Sequence, residues 1–101
     1  MDKRIELQNI LEKILDNRHV YFQPPESLKM EYPAIRYSVS KMESKYANNA
    51  KYSKFTRYDI IVIDKRPNNE AIQKILDLPY SSFDRHYVSN NLNHDSIILY
   101  F

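Results

Sequence analysis

The sequence predicts an α+β fold: a four- to five-stranded antiparallel or mixed sheet with an N-terminal helix, a second short helix, and a long β-arm between the first two main strands. Three observations carry that prediction. Residues 54–64 form a strand pattern whose second half is apolar on both sides, with Tyr58, Ile60 and Val62 on one face and Ile61 and Ile63 on the other. Residues 3–16 place Leu7, Ile10, Leu11, Ile14 and Leu15 at three- and four-residue steps, the stripe of an amphipathic helix. Residues 34–40 alternate, Ile35, Tyr37 and Val39 against Arg36, Ser38 and Ser40, as a strand with one buried face does. The doubly apolar strand belongs in the middle of the sheet, and both of its faces need cover. The chain has helix enough for one cover, so the second face is expected to meet a partner.

The remaining elements follow in order. Asp2 is available to cap the first helix, whose polar face carries Glu6, Glu12, Lys13 and Asp16. Val20 to Phe22 favours a short edge strand, which Pro24 and Pro25 stop. A connector ends in Tyr32-Pro33, and the main strands are expected at about 34–41, 54–64, 83–89 and 95–101. Residues 42–53 are too polar for a core and too long for a tight hairpin, and read as a protruding arm with Asn48-Asn49 at its tip and Tyr46 and Tyr52 beside it. Asn68 and Asn69 lead into a second helix at about 69–77, where Ile72, Ile75 and Leu76 make a short stripe that Pro79 ends. The last two strands are joined by a turn within Asn90-Asn-Leu-Asn93.

Composition narrows the function. A chain of 101 residues is read as one domain, small enough that burial against a second subunit would help it. The formal charge of +2 does not by itself imply nucleic acid or membrane. Its distribution is uneven: residues 41–66 hold seven basic and three acidic side chains, residues 67–101 two and four. The absence of Cys removes disulfides and thiolate chemistry. The absence of Gly removes phosphate-cradling loops, dinucleotide fingerprints and the serine-hydrolase elbow, and leaves tight turns to Asn. Charges interrupt the apolar positions of the N-terminal segment, so neither a secretion signal nor a membrane span is expected.

Two residue groups invite a chemical reading. A hairpin turning at Asn90-Asn91 sets His86 opposite Asp95 and Tyr87 opposite His94; Asp84, His86 and Asp95 then share a face, and His94 takes the other. Cross-strand charge pairing accounts for these residues without a metal. Ser81, Ser82, Ser89 and Ser96 lie near, yet no oxyanion-stabilising turn accompanies them. The chain is therefore expected not to be an enzyme and to use no metal or cofactor. The arm is the second group. Lys45, Tyr46, Lys51, Tyr52 and Lys54 would suit single-stranded nucleic acid, with rings stacking on bases and lysines on phosphates, or a plain solvated hairpin. Contact with a neighbouring subunit is the reading preferred here. Lys45, Tyr46, Asn48, Asn49, Lys51, Tyr52 and Lys54 of the arm, with Tyr80, Phe83, Arg85 and Tyr87 beyond the second helix, are the expected interface residues.

Specific words in the sequence point further. Tyr32-Pro-Ala-Ile-Arg-Tyr37, Tyr46-Ala-Asn-Asn-Ala-Lys-Tyr52, Arg57-Tyr-Asp-Ile-Ile-Val-Ile-Asp64, Leu78-Pro-Tyr-Ser-Ser-Phe-Asp-Arg-His-Tyr-Val88, Asn91-Leu-Asn-His-Asp95 and Leu99-Tyr-Phe101 occur in that order. Over about residues 32–101 the chain resembles the tail terminator and tail-completion (head–tail joining) proteins of tailed phages and prophages of Gram-positive bacteria. The resemblance implies an α+β virion protein, made in the host cytoplasm, that assembles as a hexameric ring in the neck. Such a ring caps the tail tube, meets the head connector, and leaves a lumen for DNA passage without sequence-specific binding. The same motifs are similar to those of head-completion and stopper proteins of neighbouring neck layers. A basic arm and an acidic C-terminal segment suit the head-to-tail contact that such a ring needs.

Overall fold

The computed structural model describes the backbone of residues 3–47 and 50–101 and the side chains of residues 3–40 and 56–101. Its elements run α1 (Lys3–Leu15), β1 (Val20–Phe22), β2 (Ala34–Ala47), β3 (Ala50–Asp64), α2 (Glu70–Leu76), β4 (Ser81–Ser89) and β5 (Leu92–Tyr100). The strands form one mixed sheet in the order β1-β2-β3-β5-β4, with β1 parallel to β2 and every other pair antiparallel. The α+β class, the two helices and the number of strands agree with the sequence prediction, and of its two alternatives for the sheet, antiparallel or mixed, the structure has the mixed one.

The doubly apolar β3 takes the central position because β2 and β5 each bury part of it. Ladder register assigns the faces: Tyr37, Ile60, Ile97 and Phe83 stand abreast on one side, and Arg36, Ile61, Ser96 and Arg85 on the other. The first side carries the core. Leu7 and Leu11 of α1 and Ala71 and Ile75 of α2 pack there with Ile35, Tyr37, Tyr58, Ile60, Val62, Ile97 and Leu99. Ile14 and Leu15 are partly buried against this cluster, while Ile10 of the same stripe is only half-buried. The Tyr37 hydroxyl, inside the core, donates to Gln8 Oε1, and Gln8 Nε2 donates to the carbonyl of Val20 at 3.0 Å. One glutamine thus satisfies a buried phenol and ties α1 to the edge strand.

Chain reversals are made without glycine. Asp16, Gln23, Asn68, Tyr80, Asn90 and Asn91 all have positive φ, between 42° and 63°. The β4–β5 connection is a two-residue turn, because Ser89 pairs with Leu92; Leu92 and Asn93, expected in the turn, belong to the strand. Asn90 and Asn91 at φ 53° and 62° fit a type I′ turn, the form that matches hairpin twist. Asn69 caps α2, accepting from the Ala71 amide at 2.8 Å, and its Nδ2 donates to Asp64 Oδ2 at 2.7 Å. A helix of seven residues is too short to stand alone and owes its place to this anchor and to buried Ala71 and Ile75.

Two stability outcomes follow. Ile60→Ala should lower the urea-unfolding free energy by about 2–5 kcal/mol, and Ile61→Ala on the half-covered side by less than half as much; equal losses would mean both faces are packed alike. Asn91→Val should cost about 1–2 kcal/mol in the same assay, since a β-branched residue resists the left-handed region.

Candidate interaction surface

Past the root of the arm, β2 and β3 are paired only to each other among the described residues. The β3–β5 ladder ends at Arg57–Tyr100, with one further bond from the Phe101 amide to the Thr56 carbonyl at 3.0 Å. The β2–β3 ladder continues from Met42–Thr56 to Ala47–Ala50. Principal extents of 49 × 23 × 23 Å match a hairpin drawn out along one axis. Within it Ser44 stands opposite Lys54, Lys45 opposite Ser53, and Tyr46 opposite Lys51; Tyr52 falls within β3 near the tip. The ladder shifts register between Lys45 and Tyr46. The expected tip, Asn48 and Asn49, lies outside the described residues, as do the side chains of Lys45, Tyr46, Lys51, Tyr52 and Lys54.

Both helices occupy one side of the sheet, which leaves the other without a helical layer. That side is not uniformly apolar. Ala34, Ile63 and Ser96 are buried in it, Ile61 and Ile98 are half-buried, and Arg36 is exposed. Ile63 is only 2% accessible although no helix faces it, so the non-helical parts of the chain already close one part of this side. Arginines elsewhere on it sit beside carboxylates: Arg57 Nε is 3.7 Å from Asp59 Oδ1, and Arg85 Nε is 3.9 Å from Asp84 Oδ2. These separations exceed a hydrogen bond, and solvent-accessible pairs of this kind contribute little to stability. Charge on this side is thereby nearly balanced, and the basic surplus of the chain's centre belongs to the arm.

The four expected interface residues beyond α2 divide between the two sides. Phe83 stands abreast of Ile97 on the helical side and is 48% exposed, because it lies outside the reach of α2. Arg85 and Tyr87 point to the open side, where the guanidinium lies 5.6 Å from the Tyr87 ring and that ring stacks on His94 at 4.7 Å. Tyr80 precedes β4 with φ 62° and 70% exposure, a conformation that costs a bulky side chain energy, while its carbonyl receives the Tyr100 amide at 3.0 Å. With Lys3, Glu6, Leu78, Pro79, Tyr100 and Phe101 it lines a groove of about 230 Å³ at the arm's end of the sheet. Val88, 63% exposed on the helical side, is a further apolar residue of β4 that sequence reasoning passed over. Its parity with Ser81 and Phe83 becomes visible only once a one-residue irregularity between Phe83 and Arg85 is known.

His86 and Asp95 meet as the two-residue turn requires, Nδ1 to Oδ1 at 2.9 Å, with Asp95 buried and His86 half-exposed. Asp84 turns instead to the open side, where it accepts from Ser96 Oγ at 3.3 Å. Among the described residues no group of three or more histidines and carboxylates is placed to hold a metal. Nor, among them, is any helix long and apolar enough to cross a membrane. His86→Ala leaves the Asp95 carboxylate buried without its partner and should lower the unfolding free energy by about 1–3 kcal/mol; an unchanged urea midpoint would show that water replaces the imidazole at no cost.

No known family profile and no curated protein matches the chain.

Proposed function

We propose that this protein is a structural component of a phage neck, a tail terminator that forms a ring, hexameric by resemblance, on the end of the tail tube and joins it to the head connector. The observation that carries the proposal is the arm: a β-hairpin continued past its own sheet, with no third strand beside it among the described residues, offers its edges to another molecule. Three further features support it. The resemblance to tail-completion proteins, read over about residues 32–101, spans most of the sheet. Arm and C-terminal segment carry opposite charge, as a head-to-tail contact needs. A sheet with helices on one side only leaves surface for neighbours. On this reading Lys45, Tyr46, Lys51, Tyr52 and Lys54 contact the adjacent subunit or the tail tube, and DNA crosses the lumen without being read.

The test is assembly. Replacing residues 45–53 by Asn-Gly preserves the Ser44–Lys54 pair and the sheet but removes the arm. Native mass spectrometry and negative-stain microscopy should find closed rings for the full chain, alone or on purified tail tubes, and none for the shortened variant with its circular dichroism unchanged. A full chain that stays monomeric at high concentration and leaves tail tubes bare would defeat the proposal. Binding to head connectors but not to tubes would move the protein to a stopper position. Tight, steeply salt-dependent binding to single strands in place of assembly would favour a nucleic-acid module.

A further inference from the structure

β4 is the terminal strand of the sheet, and α2 reaches only its first residues, where Ser81 Oγ donates to the Leu76 and Leu78 carbonyls. Seven of its nine residues are exposed, including Phe83 and Val88, and its outer edge offers roughly 30 Å of unpaired backbone at the usual rise per residue. Protein edges are ordinarily blunted by shortness, proline, charge or a bulge. The opposite edge, β1, has three residues and runs into Pro24 and Pro25. β4 is long and has neither proline nor lysine; its bulge and its charges, Asp84 and Arg85, coincide at the middle of the strand, where opposite charges can pair across an edge instead of repelling.

Its one irregularity sets a symmetry. Register with β5 puts Ser81, Phe83, His86 and Val88 on the helical side and Ser82, Arg85 and Tyr87 on the open side. The extra residue, Asp84, also faces the open side, since its carboxylate accepts from Ser96. The order of faces along residues 81–88 is therefore palindromic about the midpoint between Asp84 and Arg85. Antiparallel partners across a ladder must project to the same side. When β4 pairs with a copy of itself, only a two-fold axis at that midpoint satisfies this rule along the segment; moving the axis by half a residue or one residue opposes helical-side to open-side positions. In the permitted register Asp84 faces Arg85 of the second copy, twice, and Phe83 faces His86, twice. Charge complementarity and face pattern thus select the same pairing.

We infer that the free edge of β4 is a docking surface for a second copy of this chain, joined antiparallel about a two-fold axis between Asp84 and Arg85 into one continuous ten-stranded sheet. This seam is isologous and stands on β4 alone; it does not rest on the neck reading, whose head-to-tail contacts are made by the arm, and beside such contacts its two-fold axis joins two rings rather than neighbours within one. The intrachain Asp84–Arg85 approach of 3.9 Å is long enough to be exchanged for the pair across the axis.

Charge exchange tests it. Sedimentation of the full chain should give an even-numbered assembly. Arg85→Asp and Asp84→Arg each place like charges in opposition twice, and should each weaken self-association by roughly tenfold or more. An equimolar mixture of the two variants restores both opposite-charge pairs and should associate as the unsubstituted chain does, as should the Asp84→Arg, Arg85→Asp double variant. Recovery on mixing also shows that the single variants are folded. Single variants that associate normally, a mixture that does not recover, or an unsubstituted chain that is monomeric throughout would each overturn the inference. Loss of rings in the arm-shortened variant with the β4 seam intact would separate the two contacts.

Discussion

A helical layer too small for its sheet governs this structure. α1 and α2 hold 13 and 7 residues, and at 1.5 Å per residue α2 is about 10 Å long against a nine-residue β4 of about 30 Å. The cover suffices for the middle of the sheet, where Ile35, Ile60, Ile97 and Leu99 are inaccessible to solvent. It fails toward the margins. Phe83 and Val88 at one edge and Val39 at the arm's root are exposed on the side that faces the helices. The side away from them has no second layer, and its solution is compositional, with isoleucines at the centre and arginine, serine and tyrosine around them.

Absence of glycine imposes a second pattern. Tight reversals still demand left-handed backbone, and six of the described residues, none of them glycine, supply it. Four of them are Asn or Asp, whose short polar side chains tolerate this region. Gln23 and Tyr80 are not of that kind. Gln23 is held by its surroundings: its amide donates to the Tyr37 carbonyl at 2.9 Å and its side-chain oxygen accepts from the Val39 amide at 3.1 Å. These bonds extend the β1–β2 edge past the last strand residue and keep Pro24 beside β2. Tyr80 plays the corresponding part at the other margin, its carbonyl receiving the Tyr100 amide where β4 begins.

What the sequence made legible was whatever periodicity alone decides. The two-faced run at β3, the leucine stripe of α1 and the Asn-Asn reversal each have a local cause, and the placement of His86 opposite Asp95 follows from the turn. What stayed hidden depends on partners distant in the chain. That β1 lies parallel to β2 is settled by the connector of residues 23–33, which carries the chain back before β2 begins. That the arm continues as regular ladder rather than loop depends on backbone bonds between polar residues, which leave no hydrophobic alternation to read. The register shift at Asp84 sends Phe83 and Arg85 to opposite sides of β4, and no spacing of residue types announces it. The candidate surface was therefore visible as composition, tyrosines and arginines beyond α2, but not as geometry.

The short reach of α2 has a dynamic consequence. Since the helix touches only one end of β4, the far half of that strand is bound to the molecule by a single ladder to β5, by the His86–Asp95 pair and by the stacked Tyr87 and His94 rings. Peeling it away uncovers Asp95 and Ser96 rather than the leucine and isoleucine interior, so the motion is local and does not melt the fold. Amide protons of β4 are expected to exchange with solvent through this opening before those of β3, and a strand so detached could enter another sheet.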